Sequence, residues 1–257
     1  MLFQRGYIFP FPTDFGAAFI VRLPSRKNSP TPSDEELDRN ANLFAKALVG
    51  GLDRAAAVQS SVIIKYVEGL RKRHSLESPA QLQAYIDKHF LSIVSSTGAA
   101  AGASAAIPGV GFVTGTAAIG AESLIFLDAA AWYILASAYL RGDDITDEPR
   151  RRALILLVLT GSKGSAIVDT FLGDVDSMAS LSAVTALSRF SGPTLSGING
   201  RLTKAFTKQI VKKVKWAWVS KLMPLGIGAV LGTTANRKLA RRVINHAGQQ
   251  LSALPRN

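Results

Sequence analysis

The chain has 257 residues, of which 47% are hydrophobic and only 19% are charged, and it contains no cysteine. The lack of cysteine excludes a disulfide framework, cysteine metal ligands and thiol catalysis. The net charge of +12 indicates an anionic partner, either nucleic acid or the acidic headgroups of a membrane. The high apolar fraction favours the membrane, because ordinary soluble domains carry more charge.

The first 32 residues differ in character from the rest. Residues 1–32 combine aromatic patches with Pro, Ser, Arg and Asn, and they contain no continuous apolar core. They do not fit a secretory signal. We interpret them as a poorly ordered N-terminal extension, and a start codon placed too early explains them equally well. Residues 33–257 are expected to form a single all-helical domain.

Two helices are predicted before residue 75. Ser33 and Glu36 form a capping box, in which each side chain bonds the backbone of the other, so a helix begins there. Gly50 and Gly51 are predicted to end it. Apolar residues then recur at three- and four-residue spacing from Leu52 to His74, which predicts a second helix.

A long stretch without any charged side chain, from Phe90 to Ala121, lies next in the sequence. A third helix is predicted from Pro79 to about Ala106, opened by a capping box at Ser78 and Gln81. A fourth is predicted from about Gly111 to Leu140. The two helices form a hairpin that is long enough to enter a membrane and small enough in its side chains to pack tightly.

A short motif opens two of the predicted helices. Pro108 and Pro224 each follow an apolar residue and precede two glycines four residues apart. This spacing lets helix backbones approach closely, so we interpret the two segments as a packing pair. The last helix is expected to end near Leu251. The predicted helix-packing residues are Gly98, Gly102, Gly111, Gly115, Gly228 and Gly232.

Two acids interrupt the apolar fourth helix. Glu122 and Asp128 are its only charged residues. An ionised carboxylate is costly to bury without a partner. We therefore interpret both as buried acids that each face a cation, a polar cavity or water, and the candidate cations are residues 150–152, which are all arginine, Lys163 and the C-terminal arginines.

The region after residue 142 is less regular. Asp143, Asp144 and Asp147 form an acidic turn before an apolar helix from Ala153 to Thr160. Residues 161–200 are rich in Gly, Ser and Thr and predict only helical fragments. Gly192 and Pro193 are predicted to form a loop.

A basic amphipathic helix is predicted from Arg201 to Met223. Apolar residues repeat every four positions from Leu202 to Trp218, and lysines share the opposite face. Such a helix either lies on anionic lipid or packs its apolar face on the core. We favour packing, with electrostatic membrane contact in addition. The candidate anionic-lipid contacts are Lys204, Lys208, Lys212, Lys215, Arg241 and Arg242.

No motif in the sequence indicates catalysis. His74, His89 and His246 are far apart and belong to no metal-binding pattern. Residues 161–165 lack the spacing of a phosphate-binding loop, and no serine-nucleophile elbow occurs. The basic residues carry no recognisable nucleic-acid-binding signature. The sequence therefore predicts no catalytic residue, no metal site, no cofactor and no nucleic-acid partner.

Several of these segments together resemble one known family. They are Ile107-Pro108-Gly109, Asp128, the run from Ala138 to Asp144, Asp147 with Arg151, Ala153-Leu154, and Pro224 to Gly232 followed by Asn236. From Leu37 to Leu251 the chain resembles the EcsC family of bacterial proteins. The family takes its name from a protein encoded beside an ABC transporter. The resemblance implies a helical, membrane-associated protein without a defined reaction, and a transporter as a candidate partner.

The leading hypothesis from sequence is an all-α protein, a single multi-helix bundle with Gly/Ala-rich central hairpin helices. It is expected to be non-enzymatic and to lie at the cytoplasmic side of the cell membrane, peripheral or shallowly inserted, because Glu122 and Asp128 oppose a full crossing. The alternative is a soluble cytoplasmic protein that binds an apolar ligand in a Gly-lined helical cavity. A hydrolase is the more remote alternative, and the oligomeric state stays open.

Overall fold

The computed structural model describes residues 34–57, 60–105, 111–172, 182–220 and 228–255. Within these ranges the side chains are described except at positions 34, 36, 37, 40, 97–105, 111–122, 213–220 and 228–235. The predicted N-terminal extension, residues 1–32, lies outside the described residues.

The described part of the chain is all α-helical, with no strand, so the predicted fold class is confirmed. It forms a multi-helix bundle. The helices are α1 (Asp34–Ala57), α2 (Ser60–Arg73), α3 (Pro79–Ala105), α4 (Gly111–Leu140), α5 (Glu148–Thr160), α6 (Ser162–Leu172), α7 (Ala183–Leu187), α8 (Gly192–Ser220) and α9 (Gly228–Gln250).

The most enclosed helix is α5. Asp147 caps its N-terminus by accepting a hydrogen bond from the Arg150 backbone N–H at 3.0 Å, and Pro149 occupies the first turn. Every residue from Ala153 to Val158 is at most 1% exposed. The helix contacts α1, α4, α6, α7, α8 and α9. Because neighbours surround it, its sequence is apolar on every side rather than on one stripe.

The predicted hairpin is present as α3 packed against α4. The Ser78 backbone N–H donates to Oε1 of Gln81 at 2.7 Å, and the Gln81 N–H donates back to the Ser78 hydroxyl at 3.4 Å. The capping box is therefore confirmed. The last helix, α9, packs chiefly on α3 and makes a smaller contact with α4. The two Pro-preceded helices thus meet, but α3 is the main partner of both.

Two predicted breaks are wrong. Gly50 and Gly51 lie inside α1 and do not end it. A Cβ atom at Gly51 would stand 2.8 Å from the Leu124 side chain, so glycine lets α1 approach α4 closely. Gly192 and Pro193 open α8 instead of forming a loop. Gly192 supplies a positive φ of 52°, and proline suits the first turn because no backbone N–H is needed there.

Candidate functional site

The predicted amphipathic helix is α8, and it separates apolar from basic residues. Leu202 is fully buried, whereas Lys204, Lys208 and Lys212 are exposed. We call these three residues the lysine row. An α-helix rises 1.5 Å per residue, so the Cα atoms of neighbouring lysines in the row are about 6 Å apart along the helix axis. The side chain of Lys215 lies outside the described residues.

The lysine row borders an open groove between α8 and α1. The other described lining residues are Asn42, Thr207 and Val211, and the groove encloses about 570 Å³. Thr207 and Val211 are half-buried, while Asn42 is exposed on α1. Among the described lining residues none is acidic. This α1/α8 groove therefore combines three ammonium groups, a hydroxyl and an amide without a carboxylate.

The charge of the lysine row is not neutralised by the described residues. No member of the row forms an ion pair or hydrogen bond with them. Two acids outside the groove lining form ion pairs with arginine: Asp53 pairs with Arg152 at 2.7 Å, and Asp144 pairs with Arg150 at 3.1 Å. Unpaired ammonium groups at the surface project a positive field that attracts anions.

The remaining predicted lipid contacts lie on a different helix. Arg241 and Arg242 are exposed on α9, whose main packing partner is α3. They add positive charge to the surface. They do not line the α1/α8 groove.

Asp128 lies half-buried on α4, and none of the described residues bonds its carboxylate. Burial raises the pKa of Asp128. The predicted pairing with residues 150–152 is wrong for this acid. Arg151 is buried and donates to three backbone carbonyls, those of Ala56, Ile145 and Thr146, at 2.7 to 3.0 Å. It bonds one carbonyl at the C-terminal end of α1 and two in the turn before α5, and no carboxylate among the described residues.

None of the other predicted partners whose side chains the structure describes forms an ion pair with Asp128. Arg150 and Arg152 form the ion pairs described above, and Lys163 is exposed on α6. The side chain of Glu122 lies outside the described residues, so its environment stays a prediction.

A buried polar network joins α3 to α4. The Tyr133 hydroxyl donates to Oδ1 of Asp87 at 2.8 Å. The Gln83 amide donates to the same oxygen at 2.7 Å and to the Ser137 hydroxyl at 3.0 Å. Arg141 donates to the Gln83 oxygen and, at 2.9 Å, to the Ser137 carbonyl. Burial raises the pKa of Tyr133. The phenol therefore stays protonated and acts as a donor that ties the hairpin together.

This network was not predicted from the sequence, although the sequence contains a pattern of polar residues that indicates it. Tyr133, Ser137 and Arg141 follow one another at four-residue spacing, and so do Gln83 and Asp87. Polar residues at this spacing share a helix face. Two such faces on helices predicted to form a hairpin indicate a polar contact between them.

The acidic turn after α4 has structural roles. Asp143 accepts a hydrogen bond from the Ser252 hydroxyl at 2.5 Å and ties the C-terminal segment to this turn. Burial raises the pKa of Asp143. Asp144 accepts from the side chain and backbone of Thr146, which lowers the pKa of Asp144. Together with the Asp147 cap, these contacts give the three acids of the turn structural roles.

The predicted packing glycines all lie in helices. Gly98 and Gly102 are in α3, Gly111 and Gly115 in α4, and Gly228 and Gly232 in α9. The helices concerned contact one another. The surroundings of the six glycines lie outside the described side chains, so their role in close packing stays a prediction.

The three histidines occupy separate places. His74 bonds Glu77 at 3.0 Å, and His89 bonds the Tyr66 hydroxyl at 2.6 Å. The His246 ring reaches a carbonyl of α5 at 3.1 Å. Burial, with help from nearby cations, lowers the pKa of His89. Within the described ranges, no three His, Asp or Glu side chains are grouped so that they could hold a metal ion.

The glycine segment at residues 161–165 forms the junction of α5 and α6. Gly161 ends α5 with a φ of 66°, which favours glycine. A Cβ atom there would stand 2.6 Å from the His246 ring, and one at Gly164 would stand 2.8 Å from the Leu157 carbonyl oxygen. Close packing therefore explains these two glycines.

One described helix is long and apolar enough to cross a membrane. The segment is Ser123–Leu140 of α4, and 61% of it is buried inside the protein. The bent pair Ala41–Ala57 and Ser60–Arg73, which meet at 64°, passes the same test if the two are counted as one span. Core helices of soluble proteins also pass a test of length and composition.

The chain was compared with protein families, with curated proteins and with solved structures, and none of them matches it.

Proposed function

We propose that this protein is a non-enzymatic helical protein that associates peripherally with the anionic cytoplasmic face of the cell membrane. The observation that carries the proposal is the lysine row, which is exposed and without a described counter-ion on a helix whose apolar residues Leu202 and Phe206 are buried in the core. Such a helix presents charge to a membrane, while its buried apolar side chains are not free to insert.

The mode of attachment follows from the same burial pattern. Leu202 and Phe206 of α8 are at most 7% exposed, so the described start of its apolar face is not free to enter lipid. Most of the apolar segment Ser123–Leu140 is covered by other helices. Attachment is therefore electrostatic, and salt should weaken it because ions screen exposed charges beyond about 8 Å at physiological ionic strength.

The strength can be approximated from the charge. Each lysine near an anionic leaflet contributes about 1 kcal/mol, so the row supplies about 3 kcal/mol, or roughly 150-fold in affinity. The exposed Arg241 and Arg242 add to the attraction if α9 also faces the membrane. The EcsC resemblance supports the same proposal, because it implies membrane association and makes a transporter a candidate partner.

Fractionation of cells that express the full chain tests the proposal. We expect the protein in the membrane pellet at low salt and its release by high salt. A variant with Lys204, Lys208 and Lys212 changed to Gln should move to the soluble fraction. The matched control changes three exposed lysines elsewhere, Lys65, Lys72 and Lys88, and should stay in the pellet.

Two results would contradict the proposal. Recovery of the unmodified protein wholly in the soluble fraction at low salt would exclude membrane association. Retention in the pellet after both a high-salt and a carbonate wash would show insertion instead of electrostatic attachment.

A further inference from the structure

We infer that the α1/α8 groove binds a phosphomonoester, the doubly charged phosphate group that ends certain lipid headgroups and soluble phosphate esters. The inference rests on the proposed function and adds a specific ligand chemistry to it. General attraction to a membrane needs only positive charge. The groove offers directed hydrogen-bond donors as well.

The lining residues match the needs of a phosphate group. Its oxygens only accept hydrogen bonds, and the groove provides donors from two helices. Each ammonium group of the lysine row has three donor hydrogens, the Thr207 hydroxyl has one, and the Asn42 amide has two. The row extends about 12 Å by the helical rise, and Thr207 lies beside Lys208 within it. A phosphate seated against Thr207 therefore lies within the span of the ammonium groups.

The face of α1 that carries Asn42 holds charges of both signs, including two exposed cations. Arg39 and Lys46 are exposed and stand three residues before and four residues after Asn42, so they share its helix face. Asp38 lies on the same side, but it is half-buried and has an interaction of its own. The groove is thus flanked by cations on both of its helices.

A second described groove makes a useful comparison. It lies between α3 and α9 and is lined by Lys88 and Arg237, but also by Asp87. The Asp87 carboxylate would repel a phosphate group. The α1/α8 groove has no acid among its described lining residues, so the anion site belongs there.

The charge of the ligand decides the chemical class. A phosphomonoester carries about −1.5 to −2 charges near neutral pH, since its second pKa is about 6. A phosphodiester, as in most lipid headgroups, carries one charge and has fewer free oxygens. Charge-assisted hydrogen bonds are about twice as strong as neutral ones. The cluster of donors should therefore favour the monoester.

The test compares two kinds of vesicle with equal surface potential. One contains phosphatidylcholine with phosphatidic acid, a monoester, and the other contains phosphatidylcholine with phosphatidylglycerol, a diester. The full chain should bind the first about tenfold more tightly, the value expected for one additional charge-assisted hydrogen bond. Asn42→Leu with Thr207→Val removes two donors without changing charge, and it should reduce this preference while binding to phosphatidylglycerol persists.

Controls keep the outcomes distinct. Asn245→Leu with Thr170→Val makes the same changes at exposed sites on α9 and α6 and should keep the preference. If the double variant does not fold, the single variant Asn42→Leu, at an exposed position, replaces it in the vesicle test. Glycerol 3-phosphate distinguishes a soluble ligand from a lipid ligand. If millimolar glycerol 3-phosphate displaces the protein from the vesicles, the site is assigned to soluble esters. If it does not, the site is assigned to lipid.

Equal binding to the two vesicles would overturn the inference, and so would a preference that is unchanged after the loss of the Asn42 and Thr207 donors. Either result leaves the proposed membrane function standing. If the protein binds neither kind of vesicle, both the proposed function and the inference are overturned.

Discussion

Removal of the Tyr133 hydroxyl should destabilise the bundle much more than removal of a surface hydroxyl. The Tyr133 ring is 1% exposed and stacks on Phe90 with 4.6 Å between ring centres. Its hydroxyl donates to Asp87 at 2.8 Å and lies 3.3 Å from the donating Gln83 amide. Phenylalanine keeps the ring in place, so the Tyr133→Phe variant isolates the hydrogen bonds.

The magnitude follows from the charge of the acceptor and from burial. A hydrogen bond to a charged group contributes about 1.5–3 kcal/mol, and the carboxylate keeps the Gln83 amide as its other donor. We therefore expect a loss of about 2 kcal/mol in the free energy of unfolding. For a chain of this size the loss corresponds to a fall of roughly 4–8 °C in Tm.

Urea unfolding followed by circular dichroism measures this loss. The matched control is Tyr139→Phe, whose hydroxyl donates to Glu68 at 2.9 Å on an exposed side of the protein. The control should lose less than about 1 kcal/mol, because water replaces an exposed hydrogen bond. Equal losses in the two variants would refute the claim that the network stabilises the hairpin.

Two further predictions concern titratable groups with altered pKa values. The pKa of His89 is lowered, so the unfolded chain binds its proton first, and stability should fall as the pH drops below about 6.5. Unfolding from pH 8 to pH 5 should show this loss, and His89→Gln should reduce it. The pKa of Asp128 is raised, so its carboxylate reduces stability as the pH rises above about 4. Asp128→Asn should therefore be more stable than the unmodified protein at pH 7 and should lose that advantage near pH 3.

Each of these predictions has a contradicting result. A pH slope that is unchanged in His89→Gln would show that other groups cause the acid instability. A variant Asp128→Asn that is less stable at pH 7 would show that the carboxylate has a favourable partner. Both measurements use the same urea unfolding assay, so they can be compared directly.

Local sequence patterns were sufficient to predict features of several helices. The capping box at Ser78 and the proline at position 79 predicted the start of α3, and the four-residue spacing of Lys204 to Lys212 predicted the exposed basic face of α8. These features depend on neighbours within one or two turns. Neighbours of this kind appear directly in the spacing of residues along the sequence.

Contacts between distant segments could not be predicted in the same way. The helix α1 continues through Gly51, where it packs against Leu124. Arg151 donates a hydrogen bond to the Ala56 carbonyl, far away along the chain, and not to an acid. The α1/α8 groove needs Asn42 and Thr207 from opposite ends of the sequence. Tertiary packing decides these arrangements, so a single sequence indicates them weakly.

The affinity of the full chain for anionic vesicles tests whether the lysine row attaches this protein to membranes. It is measured at about 0.1 M salt, where charges act over about 10 Å, on phosphatidylcholine vesicles with and without phosphatidylglycerol. We expect binding only to the anionic vesicles and roughly 150-fold weaker binding when Lys204, Lys208 and Lys212 are changed to Gln. An equal loss in the variant that changes Lys65, Lys72 and Lys88 would contradict this expectation, because net charge and not the lysine row would then control attachment.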